Sequence, residues 1–162
     1  MTSKIFLAVL LLTCVSHTQA LCAAYPHETS QREIIETIRP CYDKCVANYL
    51  CFSYWYFVEE NVCLLRILNG TSLNVDDNSY SNHEGYIACS NRSPKCETYD
   101  EGQETFSVTA SNHKDCFMTC LNHGRCLKYT YFKSNKYCQL QVSTGSRIDV
   151  ESFRVYLFCT GQ

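Results

Sequence analysis

The spacing of cysteines constrains this chain more than any other feature. Thirteen of its 162 residues are cysteine. Twelve fall into two runs: Cys22, Cys41, Cys45, Cys51, Cys63 and Cys89, then Cys96, Cys116, Cys120, Cys126, Cys138 and Cys159. Successive steps are 19, 4, 6, 12 and 26 in the first run, and 20, 4, 6, 12 and 21 in the second. Three identical inner steps indicate an internal duplication. The residues between agree at an offset of 75: Cys51-Phe-Ser-Tyr-Trp-Tyr-Phe57 aligns with Cys126-Leu-Lys-Tyr-Thr-Tyr-Phe132, and Cys63-Leu-Leu65 with Cys138-Gln-Leu140.

The remaining cysteine, Cys14, lies in an N-terminal segment of different character. One lysine, Lys4, precedes the largely apolar run Ile5 to Val15, and Thr18-Gln19-Ala20 places small residues at −3 and −1 of a cleavage site. This layout is that of a secretory signal peptide over residues 1–20, and the run is too short for a comfortable membrane span. Cleavage would leave an even cysteine count, which in an oxidising compartment reads as a disulfide framework. The expectation is a secreted, extracellular protein without a transmembrane anchor.

Each unit is about 65 residues, a size at which a hydrophobic core alone is marginal and disulfides do structural work. The expected division is a first domain over 21–89, a short polar linker over 90–95 and a second domain over 96–159. Within each unit Cys-x-x-x-Cys places two thiols on one helical face. Thr37 and Ser111 are the expected N-caps, Pro40 is tolerable in a first turn, and Gly124 can close the second helix. Phe52, Tyr54, Tyr56 and Val58 alternate with Ser53, Trp55 and Phe57, the period-2 pattern of a strand. Glu59-Glu60-Asn61 and Ser134-Asn135-Lys136 read as hairpin turns. One helix against an antiparallel sheet gives an α+β unit.

On these residues (Cys-x3-Cys-x5-Cys, aromatics at +3 and +5, then Cys-x-Leu) the chain resembles the PAN/apple family, twice over. The resemblance implies two disulfide-rich modules, each a curled antiparallel sheet of about five strands cradling one helix. It also implies the pairings Cys22–Cys89, Cys41–Cys63 and Cys45–Cys51, then Cys96–Cys159, Cys116–Cys138 and Cys120–Cys126. Spacing by itself leaves other pairings open, although two thiols on one helix face are poorly placed to bond each other. Members of this family are generally protein- or carbohydrate-binding modules, so the resemblance implies a binding or adhesion role.

Catalysis is not expected. The histidines stand in no His-Glu-x-x-His or Gly-x-Ser-x-Gly setting, Cys-x-x-Cys is absent and glycine totals six, leaving no metal, thiol-redox or phosphate-loop signature and no implied cofactor. A net charge of −2 with no basic block argues against nucleic acid. The expected partner is an extracellular protein or glycan. A self-associating matrix component and a lectin-like carbohydrate binder are the alternatives.

Positions where the two units differ are the binding candidates. Trp55 faces Thr130 in the alignment and lies on the opposite strand face from Tyr54 and Tyr56; it is either an interface or sugar-stacking anchor, or packed beneath a loop or against the other domain. Lys128, Lys133 and Lys136 give the second unit a cationic hairpin region suited to a sulfated sugar, the plainer reading being a solvated mixed surface. The longer segment between Ile67 and Glu84 is a candidate recognition loop. It begins at the N-glycosylation sequon Asn69-Gly-Thr; Asn91-Arg-Ser is a second sequon, weakened by Pro94.

Overall fold

The computed structural model describes residues 22–90, 92–149 and 154–161, with backbone alone at 92–95 and 159–161. The expected signal peptide with Cys14, the sequon residue Asn91 and the side chain of Cys159 lie outside the described residues. The element order is β1 (Cys22–Tyr25), β2 (His27–Ile34), α1 (Ile38–Ala47), β3 (Cys51–Phe57), β4 (Val62–Asn69), β5 (Asn82–Cys89), β6 (Arg92–Tyr99), β7 (Gln103–Thr109), α2 (His113–Asn122), β8 (Cys126–Phe132), β9 (Tyr137–Ser143) and β10 (Arg154–Gly161). They build two five-stranded antiparallel sheets, ordered β2-β4-β3-β10-β6 and β1-β5-β8-β9-β7. Helix α1 packs on β3 and β4 of the first, and α2 on β8 and β5 of the second.

The α+β character and the elements follow from the sequence. Thr37 is the N-cap of α1, although its side chain makes no capping bond. Asn112, rather than Ser111, caps α2 by accepting from the Asp115 amide at 2.9 Å. Past the α2 C-cap, Gly124 has φ +75°, the left-handed conformation that ends helices without a Cβ penalty. The hairpins β3–β4 and β8–β9 each turn through a non-glycine residue of positive φ, Asn61 (52°) and Lys136 (56°), one on each side of the 75-residue offset. The bulges also match: β3 shifts register between Cys51 and Ser53, and β8 between Cys126 and Lys128.

The sheets do not divide at the middle of the sequence. The terminal strand pair of the first half, β1 with β5, lies in the sheet of α2, where Glu84, Gly85 and Tyr86 pair with Thr130, Tyr129 and Lys128. The corresponding pair of the second half, β6 with β10, lies in the sheet of α1, where Arg154, Val155 and Tyr156 pair with Trp55, Tyr54 and Ser53. Because Trp55, Tyr54 and Ser53 align with Thr130, Tyr129 and Lys128, the two junctions stand at corresponding positions, and each half of the chain places its terminal strand pair in the sheet that carries the other half's helix. The chain crosses between sheets at Pro26, in segments 70–81 and 100–102, between β5 and β6, and between β9 and β10. Residues 92–95, part of the expected linker, lie in β6.

Both cores draw on both halves. Around α1, Cys41, Tyr42, Cys45, Tyr54, Tyr56 and Leu65 are closed by Val155 and Leu157 of β10. Around α2, Cys116, Phe117, Cys120, Tyr129, Tyr131 and Leu140 are closed by Ala24 of β1, with Leu73 packed alongside. The bridges Cys41–Cys63 and Cys116–Cys138 tie each helix to the β-strand beyond its hairpin; Cys45–Cys51 and Cys120–Cys126 tie it to the next strand. Cys22–Cys89 staples β1 to β5 across a separation of 67 residues, worth about 4 kcal/mol in the chain-entropy model. Cys96 is disulfide-bonded, and its register partner across β6–β10 is Cys159.

Candidate binding surface

Strand alternation turns Tyr54 and Tyr56 into the α1 core and leaves Trp55 half-buried on the other face. There Trp55 stands in one row with Arg154 of β10, Leu64 of β4 and Arg32 of β2. The Arg154 guanidinium lies 4.9 Å from the indole centre and that of Arg66 lies 6.0 Å away, within cation–π range. Each arginine has a carboxylate partner: Arg154 with Glu101 at 3.4 Å, Arg66 with Glu28 at 2.5 Å, and Arg32 with Glu60. The indole Nε1 is buried without a hydrogen-bond partner. Trp55 thus joins the halves through Arg154 and is a packed residue at the margin of a face rather than a bare platform.

The next row toward the hairpin is apolar: Phe57, Val62 and Ile34, paired across β3, β4 and β2. Phe57 and Val62, with Arg32, Glu60 and Leu64, line a cavity of about 160 Å³. Ile34 is 86% exposed and Val58, in the adjoining turn, 52%. Isolated exposed aliphatics need no explanation, but Ile34 continues into half-buried Phe57 and Leu64 over a buried Val62 beside Trp55, and a contiguous apolar patch is a recognised mark of an interaction site. The sequence reading chose Trp55 and missed this group; its signal was the aliphatic ends of two neighbouring strands, Ile34 and Val62, without a polar residue between them in space.

The three lysines are engaged separately. Lys128 is half-buried, 2.5 Å from Glu84 and 5.3 Å from the centre of the Tyr86 ring. Burial works against its charge, but Glu84 and Tyr86 hold its ammonium above the usual lysine range. Lys133 donates to the Asn78 carbonyl at 2.7 Å. Lys136 occupies the left-handed turn position. Only the last two are exposed, so the structure gives these cations different local tasks.

The long segment 70–81 is anchored by its inward residues and exposes most of the others. The Leu73 amide donates to Ala24 O at 2.8 Å, and Leu73 and Val75 pack against the α2 core. The His113 amide donates to Asn78 Oδ1 at 3.1 Å, and Lys114 meets Asp76 at 2.9 Å. Gly85 makes room for this: a Cβ there would lie 3.1 Å from Leu73 Cδ1 and 3.0 Å from Tyr129 Oη. Asn69, at the start of the segment, is exposed.

Comparison with known proteins gives one family: the PAN domain, whose model matches residues 89–159. PAN domains are protein- or carbohydrate-binding modules, and the paired sheets, two helices and dense disulfides accord with that fold and with an extracellular protein. No curated protein and no solved structure matches the chain. Among the described residues, no helix is long and apolar enough to cross a membrane, and no group of three or more His, Cys, Asp or Glu side chains is placed to hold a metal ion.

Proposed function

We propose that this is a secreted, non-catalytic binding protein in which two PAN modules, interlocked by exchanged strands, recognise an extracellular protein. The observation that carries the reading is the apolar group on the outer face of the α1 sheet: Ile34, Phe57, Val62 and Leu64, flanked by Trp55 and the Arg32–Glu60 pair. An aliphatic patch rimmed by charges suits a protein surface. A glycan platform calls for a bare aromatic face, whereas the Trp55 ring carries two arginines. The matched cysteine spacings over both halves support the tandem arrangement, and the N-terminal apolar segment supports secretion.

The test is an array of extracellular protein domains probed with the mature chain, beside a glycan array. Capture of a protein partner that weakens at least tenfold with Ile34→Ser or Leu64→Ser, in variants with unchanged circular dichroism, is expected. Capture unaffected by both substitutions, or binding confined to the glycan array, overturns the assignment.

A further inference from the structure

His83 of β5 and His113 at the start of α2 come from opposite halves of the chain and stack face to face, with ring centres 3.9 Å apart and planes 17° from parallel. His113 is fully buried and His83 nearly so. His113 Nε2 and Tyr129 Oη share a hydrogen bond of 2.7 Å. His113 Nδ1 and His83 Nε2 are buried without side-chain hydrogen-bond partners. Tyr80, from the docked 70–81 segment, caps His83 edge-on at 5.4 Å. The stack therefore lies where three parts meet: the exchanged strand β5, the docked segment and the helix of the other half.

We propose that the His83–His113 stack is an acid-released latch: while both rings are neutral it holds segment 70–81 and β5 on the α2 sheet, and protonation drives them off. A face-to-face pair tolerates two neutral rings but not two imidazolium ions, whose charges would repel at contact distance in a site largely closed to water. The Cys22–Cys89 bridge keeps β1 and β5 together, so the released piece is that strand pair with its segment, and release uncovers the β8 edge and the Tyr129 side of the core.

The surroundings set the direction. Burial, then the charge of His83, holds the His113 imidazole down to about 4, and burial holds His83 below the ordinary histidine value. From the docked segment, Asp77 pulls both upward, while Lys133 of the β8–β9 turn pushes His83 down. Hydrogen bonds from Ser79 hold Asp77 below the usual carboxylate range, so it stays charged throughout. From β8, Tyr129 faces the site with its hydroxyl held neutral by burial, and Tyr131, paired with His83, donates to Ser111 O at 3.2 Å. On α2, Lys114 is held by Asp76. Once released, both histidines titrate near 6.5. Above that pH neither state gains protons and the latch is fully closed. Below it the open state binds protons that the closed state refuses, so the open-to-closed ratio rises by up to about tenfold per pH unit for each histidine. The rise ends near pH 4, where the closed state also protonates.

Hydrogen exchange on the intact, disulfide-bonded chain tests this between pH 7 and 5. After correction for intrinsic rates, protection of amides 82–89 is expected to fall at least tenfold over that interval while amides 62–69 of β4 hold theirs. In His83→Phe, which keeps a ring on the stack but removes one titrating group, the fall is expected to shrink at least threefold. Equal protection of 82–89 at pH 7 and 5, or a parallel loss in wild type and His83→Phe, overturns the latch. If His83→Phe does not fold, imidazole NMR on the wild type decides: two rings titrating near 6.5 with no change in β5 protection also overturn it.

Discussion

Glu84 on β5 and Lys128 on β8 form an ion pair of 2.5 Å that joins the first half of the chain to the sheet of the second. At the equivalent junction the place of Glu84 is taken by Arg154, which stacks on Trp55 at 4.9 Å. Returning each strand pair to its own half would bring Arg154 into the neighbourhood of Lys128 and leave Trp55 with Arg66 alone of its two cations. Charge therefore favours the observed pairing at the β5–β8 junction, attraction there being replaced by repulsion in the other arrangement.

Glu84→Lys is accordingly expected to destabilise the protein by about 1 kcal/mol, as for a partly buried pair turned repulsive. Glu84→Lys with Lys128→Glu together are expected to recover most of the loss. A double-mutant cycle in denaturant measures this; strictly additive losses count against a direct interaction.

Gly85 and Val155 occupy equivalent positions against Tyr129 and Tyr54. The former leaves room for Leu73 and for the hydroxyl of Tyr129; the latter fills the α1 core and is fully buried. Gly85→Val is expected to cost about 1–3 kcal/mol through overpacking, read as a lowered urea midpoint. An unchanged midpoint would show that the site has space the structure does not give it.

The Cys22–Cys89 bridge is covalently part of the first half but structurally part of the α2 sheet. Replacing both cysteines by serine is expected to cost up to about 4 kcal/mol. Loss of hydrogen-exchange protection should concentrate in β8 and β9 rather than β3 and β4. The reverse distribution would place the bridged strands in the other sheet.

Lys136 has φ 56°, a conformation strained for a residue with a Cβ. Lys136→Gly is expected to raise stability by up to about 1 kcal/mol, the relieved strain being partly offset by the entropy glycine gains on unfolding. A fall in melting temperature would mean that the ammonium contributes more than the turn costs.

Much of one sheet-plus-helix unit was legible in the sequence because its signals are local: cysteines four apart on a helical face, aromatics alternating along β3 and β8, turns before Val62 and Tyr137. The exchange was not. Tyr86 and Tyr156 stand at the same distance before their cysteines, and each terminal strand carries a pattern acceptable to either sheet. Only pairwise facts in space, such as Glu84 with Lys128 or Gly85 with Tyr129, separate the two arrangements. The same limit hid the His83–His113 stack, whose members lie 30 residues apart in no motif. It also hid how the 70–81 segment is anchored, since its polar composition masks the two apolar residues, Leu73 and Val75, that pack on the α2 core.

Strand exchange is tested most directly by backbone nuclear Overhauser contacts in the uniformly labelled, disulfide-bonded protein. Cross-strand contacts joining Gly85 to Tyr129 and Val155 to Tyr54 are expected. Contacts joining Gly85 to Tyr54 and Val155 to Tyr129 would contradict it.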